Sequence, residues 1–147
     1  MAEFGSLTMN FPELRTRLDF GEFHEGLAGN YVEVWLNLSE DFNEERRAHT
    51  KRYEVFERRR DALVEGIESG RLKGKELDVA RIELIALVEE MAVATAGIYA
   101  RLWGCSVEEY RALVQTEGAQ RLMAWLYERS WEMVADYRAA RTKVRSD

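Results

Sequence analysis

From Tyr31 to Leu38 the chain alternates without a break. Val32, Val34, Leu36 and Leu38 share one side, and Tyr31, Glu33, Trp35 and Asn37 share the other. A period of two is the signature of a strand with one apolar face. A second run has the same period, with Leu14, Thr16, Leu18 and Phe20 interleaved by Arg15, Arg17 and Asp19. The segment GEFHEGLAGN joins them, and Gly21, Gly26 and Gly29 give it the backbone freedom that such a connection needs. The two runs read as an antiparallel β unit over residues 14–38. A two-stranded sheet is marginal alone, so helices must cover its aliphatic face.

Beyond Ser39 the period changes to 3.6. Ser39 is placed to cap a helix over about 40–69, with Glu40, Asp41, Glu44 and Glu45 in the first turns, where the helix dipole favours acids. Phe42, Tyr53, Phe56, Leu63 and Ile67 fall on one face, and Gly70 ends the helix. Between Asn43 and Arg52 the only apolar side chain is Ala48. A helix of this length spans about 45 Å, against a diameter of about 40 Å for a compact domain of this size. Its apolar-poor first turns are therefore expected to project from the body or to face a partner. After the polar turn RLKGK, a second helix is expected over about 76–103, amphipathic at first (Leu77, Ile82, Ile85, Val88). It is apolar nearly all round from Met91, as a central buried helix would be. Gly104 closes it. Ser106 and Glu109 form a capping box for a short helix over 107–115. Thr116 is placed to cap a last helix over 117–141 that carries Leu122, Met123, Trp125, Leu126, Trp131, Met133, Val134 and Tyr137. The expected fold is α+β and mostly α-helical: an N-terminal two-stranded antiparallel unit packed on a bundle of three to four helices, forming a single domain over 9–147.

Composition narrows the classes without choosing among them. The chain is 46% hydrophobic and 33% charged, the balance of a folded globular protein. One cysteine, Cys105, excludes an internal disulfide and fits a reducing compartment. With no long uncharged apolar run and no signal-peptide pattern, the expected location is cytoplasmic, with no membrane partner. Residues 1–8, MAEFGSLT, read as a cloning-derived or disordered leader, because Glu-Phe and Gly-Ser are what two common restriction sites encode and Met9 offers a start. The net charge of −6 is segregated: residues 1–45 carry ten acids against two bases, and residues 46–60 carry seven bases against two acids. Blocks of this kind suit electrostatic pairing within the fold or between copies, and also ordinary solvated faces.

Candidate chemistry is sparse. His24 and His49 are the only histidines, and neither has the Glu-x-x-His repeats of a di-metal bundle. Packing or partner contact is the expected role of His49. Cys105 lies between two helices with no evident histidine partner, so it reads as structural. No nucleophile elbow, phosphate loop or dinucleotide fingerprint occurs. No catalytic, cofactor-binding or metal-binding residue is assigned, and the chain is expected to be non-enzymatic. The arginines of 46–60 do not line up into one phosphate-tracking stripe and the chain is acidic, which disfavours nucleic acid as a partner. Arg60 lies within the apolar stripe and calls for a carboxylate neighbour. Protein partners, a further copy of the chain among them, fit better. The expected contact residues are Tyr31, Glu33 and Trp35 on the outward strand face and Arg47, Lys51 and Arg58 on the charged helix. A pocket between aromatic helices (Tyr99, Trp103, Trp125, Trp131), with Glu83, Glu90 or Arg101 converging on it, is the competing expectation for a ligand-binding or enzymatic domain.

The stretch LDFGEFHEGLAGNYVEVWLNLSEDF, a short strand, a glycine-rich loop and a YVEVWLNL-type strand leading into helices, resembles small structural and assembly proteins of long-tailed bacteriophage tail modules. Tail assembly chaperones are the nearest class. The resemblance is confined to the N-terminal third. It implies a protein that binds the tape-measure protein or other tail components in the host cytoplasm as an oligomer, with no catalytic set.

Overall fold

In the computed structural model, residues 11–146 are described, with side chains to Lys143. The proposed leader over 1–8 lies outside the described residues. Two strands are followed by four helices: β1 (Arg15–Asp19), β2 (Tyr31–Trp35), α1 (Glu40–Glu68), α2 (Lys75–Leu102), α3 (Val107–Gln115) and α4 (Gln120–Ser146). The fold is the expected mostly helical α+β one. Contacts divide it into two compact units. Unit 1 combines the segment up to Glu40 with the segment from Ala100, and unit 2 is Asp41–Tyr99.

In unit 1, β1 and β2 pair antiparallel, with Arg17 opposite Glu33 and Leu18 opposite Val32. Phe20 N donates to Asn30 O at 2.7 Å and Leu36 N to Leu14 O at 2.8 Å. Because antiparallel pairs alternate, Arg17 and Glu33 form a non-hydrogen-bonded pair whose peptide groups turn outward. The connection is two single 3-10 turns, Phe20–Glu22 and Glu25–Leu27. Asp19 organises it by accepting from Gly21 N (2.7 Å) and from Gly29 N (3.2 Å). Leu18, Phe20, Val32 and Val34 are buried as the alternation requires, whereas Leu14 is left exposed. The helical part of this core is Leu102, Trp103, Tyr110, Leu122, Met123, Leu126 and Val134. Trp103 anchors it: its Nε1 donates to the fully buried Ser130 Oγ at 2.8 Å, and its ring stacks on Tyr127 with centroids 5.6 Å apart. Indole N–H and serine hydroxyl thus satisfy each other away from water.

Two helix boundaries follow from local chemistry. Ser106 and Glu109 make the capping box, each side chain bonding the other's backbone N–H at 3.0 Å. Thr116 does not cap α4 as expected. It is instead the C-cap of α3, its hydroxyl donating to Ala112 O at 2.8 Å. Gly118 then takes φ +80, outside the helical region, and delays α4 to Gln120.

Unit 2 is a helical hairpin. His49 lies opposite Thr95 (3.2 Å) and Arg59 opposite Glu83 (2.6 Å), so the two helices run antiparallel. The same register sets Tyr53 against Met91, Phe56 against Leu87 and Leu63 against Ala80. Along α1 the inward positions are Phe42, Arg46, His49, Tyr53, Phe56, Arg60, Leu63 and Ile67, spaced four and three in turn. On α2 they are Leu77, Ala80, Leu84, Leu87, Met91, Ala94 and Ile98, spaced three and four. This is the spacing of coiled-coil seams. The first turns of α1 therefore do not project as expected. Asn43 is 8% exposed, and His49 packs within the hairpin. Polar residues occupy seam positions that the apolar count alone leaves blank.

Candidate interaction surface

The six expected contact residues divide between the units. In unit 1, Tyr31 is 43% exposed and the Arg17 guanidinium lies 3.7 Å above its ring. Glu33 is exposed, but its backbone is engaged: its N donates to Trp103 O at 3.3 Å and its O accepts from Arg15 Nη1 at 2.8 Å. Those are the outward groups of β2, so the middle of this strand edge is closed to a further strand. Trp35 is a correction. It is 4% exposed, not part of an outward aromatic pair. The Arg15 and Arg101 guanidiniums lie 5.6 and 5.7 Å from its ring centroid, and its Nε1 donates to Asn37 Oδ1 at 3.0 Å. In unit 2, Arg47, Lys51 and Arg58 are all exposed on the side of α1 away from the seam. They share a helix face, as the sequence suggests. Arg60 lies 3.3 Å from the Asp61 carboxylate, with its guanidinium over the Phe56 ring.

Arg15 is the structural hub of unit 1. Besides Glu33 O, its guanidinium donates to Leu102 O (3.2 Å) and Arg101 O (2.9 Å). Its Nη2 also pairs with Glu13 at 2.6 Å. The last carbonyls of α2 have no intrahelical partner, so one side chain from β1 both caps α2 and holds it against β2. Gly104, at φ +61, stands where a Cβ would come within 2.9 Å of Arg15 Nη1.

Few groups have chemistry beyond structure. His49 Nε2 meets Thr95 Oγ1, and Nδ1 is buried without a partner. Burial, reinforced by the Arg52 charge, lowers its pKa. The half-buried Cys105 thiol is pushed up by burial and then by Glu109, which outweigh the opposing Arg15 charge, so it is a poor nucleophile. Among the described residues no group of three or more His, Cys, Asp or Glu side chains could hold a metal, and no helix is long and apolar enough to cross a membrane. A shallow hollow of about 210 Å³ in unit 1 is lined by Leu36, Asn37, Leu38, Tyr137, Arg138, Arg141 and Thr142. It is smaller than typical ligand pockets of about 300–1,000 Å³, and none of Glu83, Glu90 and Arg101 lines it.

The feature that the sequence reading missed is on α2. Val79 is 62% exposed, Ile82 68%, Ile85 71%, Val88 45% and Val93 48%. Grouping Leu77 with Ile82 and Ile85 as one amphipathic face conceals them. At 100° per residue Leu77 points about 140° away from Ile82. The helix carries two stripes. One faces α1, and the other, through Val79, Ile82, Ala86 and Val93, lies on the opposite side with the same three-and-four spacing. Glu76, Glu83 and Glu90 border the second stripe at seven-residue intervals. Arg59 clamps Glu83 with two hydrogen bonds of 2.6 and 2.7 Å, which hold that carboxyl below its usual range. The stripe leaves branched apolar side chains in water along a well-formed helix. Comparison with family models, with curated proteins and with solved structures finds no match to this chain.

Proposed function

We propose that this chain is a non-enzymatic protein–protein interaction and assembly protein whose docking element is the exposed stripe of α2. One observation carries the reading: Val79, Ile82, Ile85 and Val93 are 48–71% exposed on a helix whose other face already packs on α1. A helix with two apolar seams is built to lie between two neighbours, and the hairpin supplies one of them. Tyr31, under Arg17, and the row Arg47, Lys51 and Arg58 are polar surfaces at which partner choice can be set. The phage tail resemblance of the strand–loop–strand segment gives the biological class of this reading, an assembly chaperone that shields a tail component. The test is co-expression with the products of the neighbouring reading frames, followed by purification and mass measurement. A stable complex that is lost in Ile85→Asp is expected. If the chain purifies alone with every neighbour, the proposal fails.

A further inference from the structure

We infer that the hollow between the end of β2 and the last turns of α4 binds a tetrahedral oxyanion, phosphate or a phosphate ester, held by Arg138 and Arg141. The site is separate from the α2 stripe and does not rest on it. Both arginines line the hollow, Leu36 and Leu38 supply its apolar part, and no carboxylate lines it. At 100° per residue the two arginines lie about 60° apart on one face of α4, and Asp136, the nearest acid in sequence, points about 140–160° away from them. Among the described residues neither guanidinium has a carboxylate partner or a hydrogen bond.

The neighbouring polar groups are already satisfied. Asn37 Oδ1 accepts from Leu14 N at 2.6 Å and from Trp35 Nε1 at 3.0 Å, and its Nδ2 donates to Pro12 O at 3.0 Å. Thr142 Oγ1 donates to Arg138 O at 3.0 Å. The charged donors left to a ligand are therefore the two guanidiniums. Arg141 is also steadied without using a donor. Its guanidinium lies 5.9 Å from the Tyr137 ring centroid, and a guanidinium over a ring keeps its in-plane N–H groups free. One guanidinium fork occupies both oxygens of a carboxylate. A tetrahedral oxyanion has oxygens for both forks, and its second charge matches the second cation. The hollow of about 210 Å³, small for a drug-sized molecule, has room for such an ion with part of its hydration. At about 0.1 M salt the distant acids of a chain of net charge −6 are largely screened, so the local pair decides.

The experiment titrates the full chain with inorganic phosphate at fixed ionic strength and follows backbone amide shifts. Saturable shifts confined to 36–38 and 137–142 are expected, with a dissociation constant of about 0.1–1 mM for a small ion at an open site. Arg138→Gln and Arg141→Gln each remove one fork and should each weaken binding about 10-fold. Both side chains are exposed, so the unliganded spectrum should otherwise stay that of the folded chain. Lys51→Gln, an exposed cation of unit 2, should leave binding unchanged. Shifts that never saturate, equal shifts along the Arg47 and Lys51 row, or full binding in both arginine variants overturn the inference. Succinate that binds while phosphate does not overturns the tetrahedral assignment. Glycerol phosphate and a short phosphoserine peptide then separate the sources. Whichever binds more tightly than inorganic phosphate identifies a free ester or a modified protein, and if neither does, the free ion is the ligand.

Discussion

Arg15→Ala removes the guanidinium that ties β1 to the end of α2 and to the backbone of β2. Three backbone carbonyls lose a charged donor: Glu33 O, Leu102 O and Arg101 O. A hydrogen bond to a charged group contributes about 1.5–3 kcal/mol, but bonds from one side chain are not additive and water can reach the freed carbonyls. The side chain is 20% exposed, which trims the value further. The expected loss is about 2–4 kcal/mol, a substantial share of the roughly 7–20 kcal/mol of a chain this long. Arg15→Lys keeps the charge and loses the fork, so it should recover at most half of that. The assay is urea denaturation followed by tryptophan fluorescence. All four tryptophans (Trp35, Trp103, Trp125 and Trp131) lie in unit 1, so the signal reports that unit alone. Gly104→Ala attacks the same contact by placing a methyl against Arg15, and its effect should overlap with that of Arg15→Ala in a double-mutant cycle. An Arg15→Ala loss below about 0.5 kcal/mol, or full recovery by lysine, would refute the hub role.

Other substitutions probe separate parts of the molecule. Ser130→Ala strands the Trp103 indole N–H in the core and should destabilise unit 1 by about 1–3 kcal/mol, with a shift in tryptophan emission; an unchanged midpoint and spectrum would contradict it. Since the folded pKa of His49 is lowered, the unfolded chain binds the proton first as pH falls below about 6.5. The contribution of His49 is therefore whole above that pH and declines below it, until the folded form also protonates. His49→Gln should flatten the thermal midpoint against pH between about 5 and 7; equal slopes in the two proteins would sink the idea. Cys105 should react with an aromatic disulfide reagent at pH 8 at least several-fold more slowly than a free thiol such as glutathione, and equal rates would show that its environment does not raise its pKa.

The alternation in 14–20 and 31–38 is enough to place β1 and β2 and the faces of their side chains. The register, which a slip of two residues would change without turning any face, comes from the structure. Leu18, Phe20, Val32 and Val34 have one apolar neighbourhood to fill, and a slip of one residue would turn all of them outward. Trp35 could not be assigned the same way. Its burial depends on Arg101, 66 positions further on, and a period-two pattern carries no information about what approaches the far face. The Arg59–Glu83 and His49–Thr95 ties are likewise set by how two helices align. The exposed stripe of α2 is a different case, because its signal is present in the sequence. Two three-and-four repeats, one through Leu77 and one through Val79, overlap on one helix, and counting apolar residues without their angles merges them. Thr116 misled because a threonine before an acid looks like an N-cap. The positive φ of Gly118 decides otherwise.

Unit 1 is discontinuous, because its strands and its last helices are separated by the whole of unit 2. The consequence is kinetic. Arg15 must find carbonyls 86 and 87 positions away, and closing a flexible loop of that size carries an entropic penalty before any contact rewards it. A helical hairpin zips from its turn, each contact following from the one before it, and forms early. Once residues 41–99 are helical, the segment that separates the halves of unit 1 has lost most of its own freedom, and the closure entropy has already been spent on a folded object. Amide protection should then appear in α1 and α2 before Leu18 and Val32 in pulse-labelled refolding, and mutations that loosen the hairpin seam should slow the pairing of the strands with the last helices.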